Sequence, residues 1–339
     1  MENQFDYINN TEFSPQNMGF APLDPKLAQK KEIRTTAMFV GIPILAFSVI
    51  TAFWSTVYLA VMSAFGYSAT KALEIIREPA LLQVVQIVLS ILMFTVPYIV
   101  AAKIGGYCVS DLVPLERPRK GSILPYFLFG IGFCAFANIA VSYAGSIFES
   151  FGIDYSVDFG DNPKGVWGFI LVFISTAVVP ALVEEFACRG IMFGLLLKHG
   201  QAFALIVSSI VFGLLHGNFE QIPFAFLVGL VLGLIRIKTG SLWVCVLVHA
   251  FNNFVSVVFS YLPDGNTMAQ NMAYVIFLAC CLAAAIYGML SLLRDKDTYK
   301  LEKDDSTTSE IEKHRWFFTS PVMIIFVVIA FVESLAFFI

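Results

Sequence analysis

The chain has 339 residues, 58% of them hydrophobic and only 14% charged, with a mean hydropathy of +0.78. Such values exclude a soluble globular domain, and the predominance of long apolar runs over short alternating segments excludes an outer-membrane barrel. A net charge of −4 at pH 7 says little about partners, and no nucleic-acid partner is expected.

The first 35 residues are polar, contain no apolar core of a signal peptide, and are expected to form a disordered cytoplasmic tail. Apolar segments then fall at 37–65, 81–102, 122–146, 166–198, 202–216, 222–237, 241–262, 271–293 and 318–339. They predict an all-α, polytopic transmembrane bundle of about eight core helices plus a C-terminal ninth. The domain organisation read from this is a tail (1–35), a membrane domain (36–293), a charged and solvated cytoplasmic linker (294–317) and a last transmembrane helix (318–339). With the tail placed inside, nearly every Lys and Arg falls on the inner side, and only Lys71, Arg77 and Lys164 fall outside. The expected location is therefore the plasma membrane, multi-pass, with a cytoplasmic N-terminus. The six cysteines show no CxxC spacing and read as small apolar residues, Cys188 included.

Inside the run from Val166 to Lys198 stand two adjacent carboxylates, Glu184 and Glu185, and Arg189. Ionisable groups in hydrocarbon cost several kcal/mol unless paired, hydrated or neutralised, so the cluster is a functional-site candidate. The run makes roughly 50 Å of helix against a hydrocarbon core of about 30 Å, with the carboxylates near its middle. Pro180, four residues before Glu184, predicts a local kink. The next two segments are too short to cross fully, so their polar tip, His216 to Gln221, is expected within the membrane, buried in protein or lining a water cavity. The following helix carries His249 and Asn253 at a similar depth, four residues apart and hence on one face.

Three kinds of chemistry fit Glu184, Glu185, Arg189, His216, His249 and Asn253 at one depth. A desolvated Glu could act as general base on water shared with His216, while His249 and Asn253 donate to an oxyanion and Arg189 holds one carboxylate ionised. Glu184, His216 and His249 could instead hold zinc with one position open for water. A proton or ion relay of a transporter is the third, weakened by the lack of an internal repeat. Structural readings stand beside these: an intramembrane Glu–Arg pair or a lone His or Asn often serves only to join helices. His199 and His314 read as surface residues, and Glu220 and Glu333 as isolated ones.

At these residues the sequence resembles a known family. Glu184-Glu185-x-x-x-Arg189, Phe212-x-x-x-His216 and His249-x-x-x-Asn253 are similar, in order, to the motifs of the CAAX protease and bacteriocin-processing (Abi) intramembrane proteases, which include the type II CAAX prenyl endopeptidases. The resemblance covers chiefly residues 120–262. It implies a helical bundle with a cavity open to the cytosol, and hydrolysis of a peptide bond in a membrane-tethered or hydrophobic peptide or protein. It also implies Glu184 as the water-activating base with His216, Glu185 and Arg189 as its support, and His249 with Asn253 at the oxyanion. The family is commonly labelled metalloprotease; metal-free chemistry is favoured here, because His249 and Asn253 make a natural donor pair, with zinc as the alternative. Bacterial relatives linked to bacteriocin maturation or self-immunity leave a non-catalytic immunity or peptide-binding protein as the alternative function.

Overall fold

The computed structural model describes residues 24–118, 123–152, 161–262, 267–294, 300–302, 304, 306 and 308–336. Among these every regular element is helical: α1 (Pro25–Ala64), α2 (Ala69–Ile76), α3 (Pro79–Ile104), α4 (Val109–Leu112), α5 (Ile123–Ser150), α6 (Gly165–Leu197), α7 (Gln201–Leu214), α8 (Gln221–Thr239), α9 (Trp243–Ser260), α10 (Met268–Leu293), α11 (Glu310–Phe318) and α12 (Pro321–Ala336). Seven of them, α1, α3, α5, α6, α8, α9 and α10, are long and apolar enough to cross a membrane. Helix α7 is apolar but shorter, and α11 and α12 form a pair bent by 74°. The helical membrane bundle expected from composition is thus present, with a helix in each of the nine apolar segments.

Two helices reach into stretches expected to be tail or linker. The Asp24 side chain accepts from the Lys26 amide and Pro25 occupies the first helical position, so α1 begins inside the stretch expected to be a tail. Leu27 is still exposed there, but Ile33 is fully buried, which is what extends the helix. The rest of that stretch, residues 1–23, lies outside the described residues. Likewise α11 arises within the expected solvated linker, capped by Ser309, whose side chain accepts from the Glu312 amide. It packs on α1, and its Lys313 is fully buried. Lys313 Nζ donates to the His199 carbonyl at 3.1 Å and to Glu310 at 2.7 Å, and it also pairs with Asp304. His199, read as a surface residue from its place beside a loop, is in fact 3% exposed, with its Nε2 2.8 Å from Thr36 Oγ1. The described part of the charged linker packs against it through Lys313, which no local pattern announces.

Small residues set the close helix pairs, as expected where lipid offers no hydrophobic drive. A Cβ on Gly132 of α5 would lie 2.2 Å from that of Ala285 on α10, and one on Gly229 of α8 would lie 3.0 Å from Ser209 on α7. The second approach closes the α7–α8 hairpin. Its polar tip turns at Gly217 (φ +62°) and is satisfied internally: Asn218 donates to the His216 carbonyl at 2.9 Å and to Gln221 at 3.0 Å, and accepts from the Gln221 amide at 2.8 Å. Backbone outside a helix is tolerated at membrane depth only when its polar groups are paired in this way.

Candidate active site

Helix α6 is not a regular α-helix along its length. Its turns from Phe173 to Val178 and from Phe186 to Met192 are π-helical, and the two flank the carboxylates. Wide turns of this kind are common at functional sites because they re-aim side chains and loosen the backbone ladder. Pro180 contributes to the first: it has no N–H to offer the Thr176 carbonyl four residues before it. Asn253 Nδ2 donates to that carbonyl at 3.0 Å. The irregularity expected at Pro180 is therefore tied, by one hydrogen bond, to α9.

The second π turn carries Arg189, whose own carbonyl accepts from Arg236 Nε at 3.2 Å. The guanidinium is 1% exposed, and Nη1 donates to Glu185 Oε1 at 3.0 Å. It also lies over the Phe212 ring, 3.9 Å from its centre, a cation–π contact supplied by α7. The same Oε1 of Glu185 accepts from His249 Nδ1 at 2.8 Å. Glu185 is wholly buried, and the two donors on its Oε1 are what compensate that oxygen for the loss of water.

Glu184, one residue earlier, faces elsewhere. Its side chain is 17% exposed, and Oε2 stands 4.0 Å from His249 Nε2, beyond hydrogen-bond length. With Phe212 and His216 it lines a cavity of about 440 Å³ whose other wall comes from α1 and α3. His216 Nδ1 is 2.9 Å from the Phe212 carbonyl, an acceptor, so Nδ1 carries the hydrogen and Nε2 is left as the acceptor end. Phe212 meets the His216 ring edge-on at 5.1 Å and the His249 ring at 6.2 Å, standing between the two imidazoles.

Of the residues singled out in the sequence, Glu185, Arg189 and His249 thus form one hydrogen-bonded group, and Glu184 and His216 share the adjoining cavity. Asn253 joins the site through Thr176, with its Oδ1 accepting from Asn252 at 3.2 Å. Glu333, read as isolated, is brought by α12 beside the hairpin tip, its Oε2 3.2 Å from where a Cβ on Gly217 would stand. The sequence reading missed the α3 wall, where Gln83, Gln86 and Ser90 line the cavity; their spacing in an apolar segment was the available signal. As for zinc, among the described residues no three His, Cys, Asp or Glu side chains are grouped so as to hold an ion. Glu184, His216 and His249 are thus not gathered closely enough to ligate one ion in this arrangement, although an Nδ1 bonded to a carboxylate or carbonyl, with Nε2 left over, is also how a metal-bound imidazole is commonly held.

Comparison with known proteins adds to this geometry. Residues 166–255, which carry all three motifs, match the family model described as Type II CAAX prenyl endopeptidase Rce1-like. A membrane protein of Bacillus subtilis (strain 168), YdiL, named there as a candidate peptidase, is 28% identical over 167 residues, 47% of this chain and 67% of that protein. The membrane-embedded CAAX protease MroQ of Staphylococcus aureus (strain USA300) is 26% identical over 202 residues, 57% of this chain and 80% of that one. No solved structure gives a significant match. Over residues 166–255 the chain is thus similar to the Rce1-like, CAAX-protease family of membrane proteins.

Proposed function

We propose that the protein is an intramembrane endopeptidase that hydrolyses a peptide bond of a membrane-associated peptide or protein with water activated by Glu184. The observation that carries this reading is the unequal treatment of two adjacent carboxylates. Glu185 is buried and held by Arg189 and His249, whereas Glu184 makes no hydrogen bond among the described residues and faces a cavity together with His216. Pairs of carboxylates driven into different environments take different roles.

In this mechanism a water between Glu184 and the Nε2 of His216 gives its proton to Glu184 as its oxygen attacks the scissile carbonyl carbon. The oxyanion of the tetrahedral intermediate is met by His249 Nε2–H and by the second amide hydrogen of Asn253. Because a carboxylate only accepts, His249 Nδ1 must carry a hydrogen toward Glu185; donation from Nε2 as well makes the ring an imidazolium, whose charge Glu185 and Glu184 balance. Glu184 then passes its proton to the leaving amine as the C–N bond breaks, which restores the carboxylate. No metal is required, and the acceptor end of His216 and the uncommitted Glu184 serve the water directly. The protein would work in the plasma membrane with its N-terminus cytoplasmic, on a hydrophobic or membrane-tethered polypeptide.

Purified full-length protein in lipid vesicles is expected to cleave membrane-tethered peptides. Glu184→Gln and His216→Ala should each lose about 10² to 10⁴-fold in rate while retaining the native melting profile. Wild-type rates in both variants would refute the assignment, and protection of cells from a bacteriocin by Glu184→Gln would favour the immunity reading.

A further inference from the structure

The wall of the cavity across from Glu184 and His216 is α3, outside the matched segment. Along α3 an otherwise apolar helix turns polar at Gln83, Gln86 and Ser90, three and four residues apart and so on one face. Carboxamides at membrane depth cost free energy unless both ends find partners. Gln83 is half satisfied: Ser175 Oγ, in the first π turn of α6, donates to its Oε1, and its Nε2 has no acceptor among the described residues. Gln86 is exposed to the cavity with neither end engaged among them. The remaining lining includes Phe47, Trp54, Phe94 and Phe212.

A cavity with aromatic walls and a row of free amide groups suits a ligand that is apolar outward and repeats C=O and N–H groups along its spine. An extended peptide is such a ligand. A hydrocarbon chain would leave Gln86 and the Nε2 of Gln83 unpaired. A carboxamide carries both a donor and an acceptor, as a peptide group does. Gln83 and Gln86 are offset by about 4.5 Å along the helix and Ser90 by about 6 Å more, so the row spans about three residues of extended chain at roughly 3.3 Å each.

We propose that Gln83 and Gln86 form the subsite that grips the backbone of the substrate as an extended strand beside Glu184. Gln83 Nε2 donates to a substrate carbonyl, and Gln86 pairs with the carbonyl and N–H of a neighbouring peptide unit. The proposal rests on the peptidase reading of the same cavity, and it makes recognition depend on backbone as well as on side chains.

The test uses the full chain carrying Glu184→Gln in nanodiscs, so that binding is read without turnover. The probes are a panel of N-palmitoylated, fluorescently labelled hexapeptides and, for the best binder, its analogues with each backbone amide in turn N-methylated. Native Gln86 should give one or two positions at which methylation weakens binding about tenfold, and Gln86→Leu should weaken the parent peptide equally and abolish that sensitivity. Gln86 has no partner to lose, so this variant leaves the fold intact; Gln83→Glu, which keeps the acceptor for Ser175 and loses the donor, should weaken the parent peptide while leaving the methylation-sensitive positions where they are. Binding that ignores Gln86, methylation effects that are the same in both variants, or no binding by any member of the panel would overturn the subsite. Parallel turnover with Glu184 restored separates the two claims. Gln86-dependent binding without cleavage refutes the peptidase and keeps the subsite, whereas cleavage indifferent to Gln86 does the reverse.

Discussion

One oxygen of Glu185 accepts from both Arg189 and His249 in the buried interior, while its other oxygen and Arg189 Nη2 have no partner among the described residues. Such a pair is expensive to break and cheap to replace. Removing one partner strands a buried charge at about 3–5 kcal/mol, whereas replacing both with apolar groups of similar volume is often neutral. Arg189→Met should therefore lower the unfolding midpoint in detergent by an amount equivalent to about 3–5 kcal/mol, and adding Glu185→Leu should recover most of it without restoring cleavage. A double variant as unstable as the single one would mean that the pair does not set the stability of this region. At this scale the sequence was legible, because charge inside an apolar run has few explanations. What it could not give was direction: nothing in the string Glu184-Glu185 says which carboxylate meets Arg189 and which meets the cavity.

The elements explain that direction. Two π turns in α6 rotate the carboxylates relative to a regular helix, and Pro180 leaves a carbonyl that α9 satisfies through Asn253. Asn253→Ala should cost about 1–3 kcal/mol by orphaning the Thr176 carbonyl. In a Pro180→Ala background, where an N–H is again available four residues on, the cost should fall by about 1 kcal/mol. A double-mutant cycle with no coupling would show that Asn253 is held by something other than the proline. The nine apolar segments were readable because hydrophobic runs of such length have one fate in a membrane, and an irregularity near Pro180 was readable because proline has one defect, although it takes the form of a π turn. The π turns and the glutamine wall of α3 were not: a helix apolar on nearly every side hides its angular position, so Gln83 and Gln86 could be seen but not aimed.

For the whole molecule, the N-terminal end of α1, the loop after α6 and the segment leading into α11 are clasped by Thr36, His199, Lys313 and Asp304. Burial, with help from the neighbouring Lys198, pushes the His199 imidazole down to about 4 from its ordinary 6.5. An unfolded chain therefore binds a proton there that the folded one refuses between those values, and stability must fall as pH drops through that window. The slope from this residue approaches about 1.4 kcal/mol per pH unit, and His199→Gln should flatten it; an unchanged slope would remove His199 from the account. The clasp escaped the sequence because His199 and Lys313 are 114 positions apart and lie in stretches whose composition reads as surface.

The account as a whole turns on whether water at Glu184 cuts a peptide bond. The most direct measurement is the mass of the product released from a membrane-tethered peptide by chelator-treated protein in ¹⁸O-water. One heavy oxygen in the new carboxyl group with the native chain, and no product with Glu184→Gln, is the predicted result. Product formed equally by Glu184→Gln, or none from the native chain until a metal is restored, would contradict it.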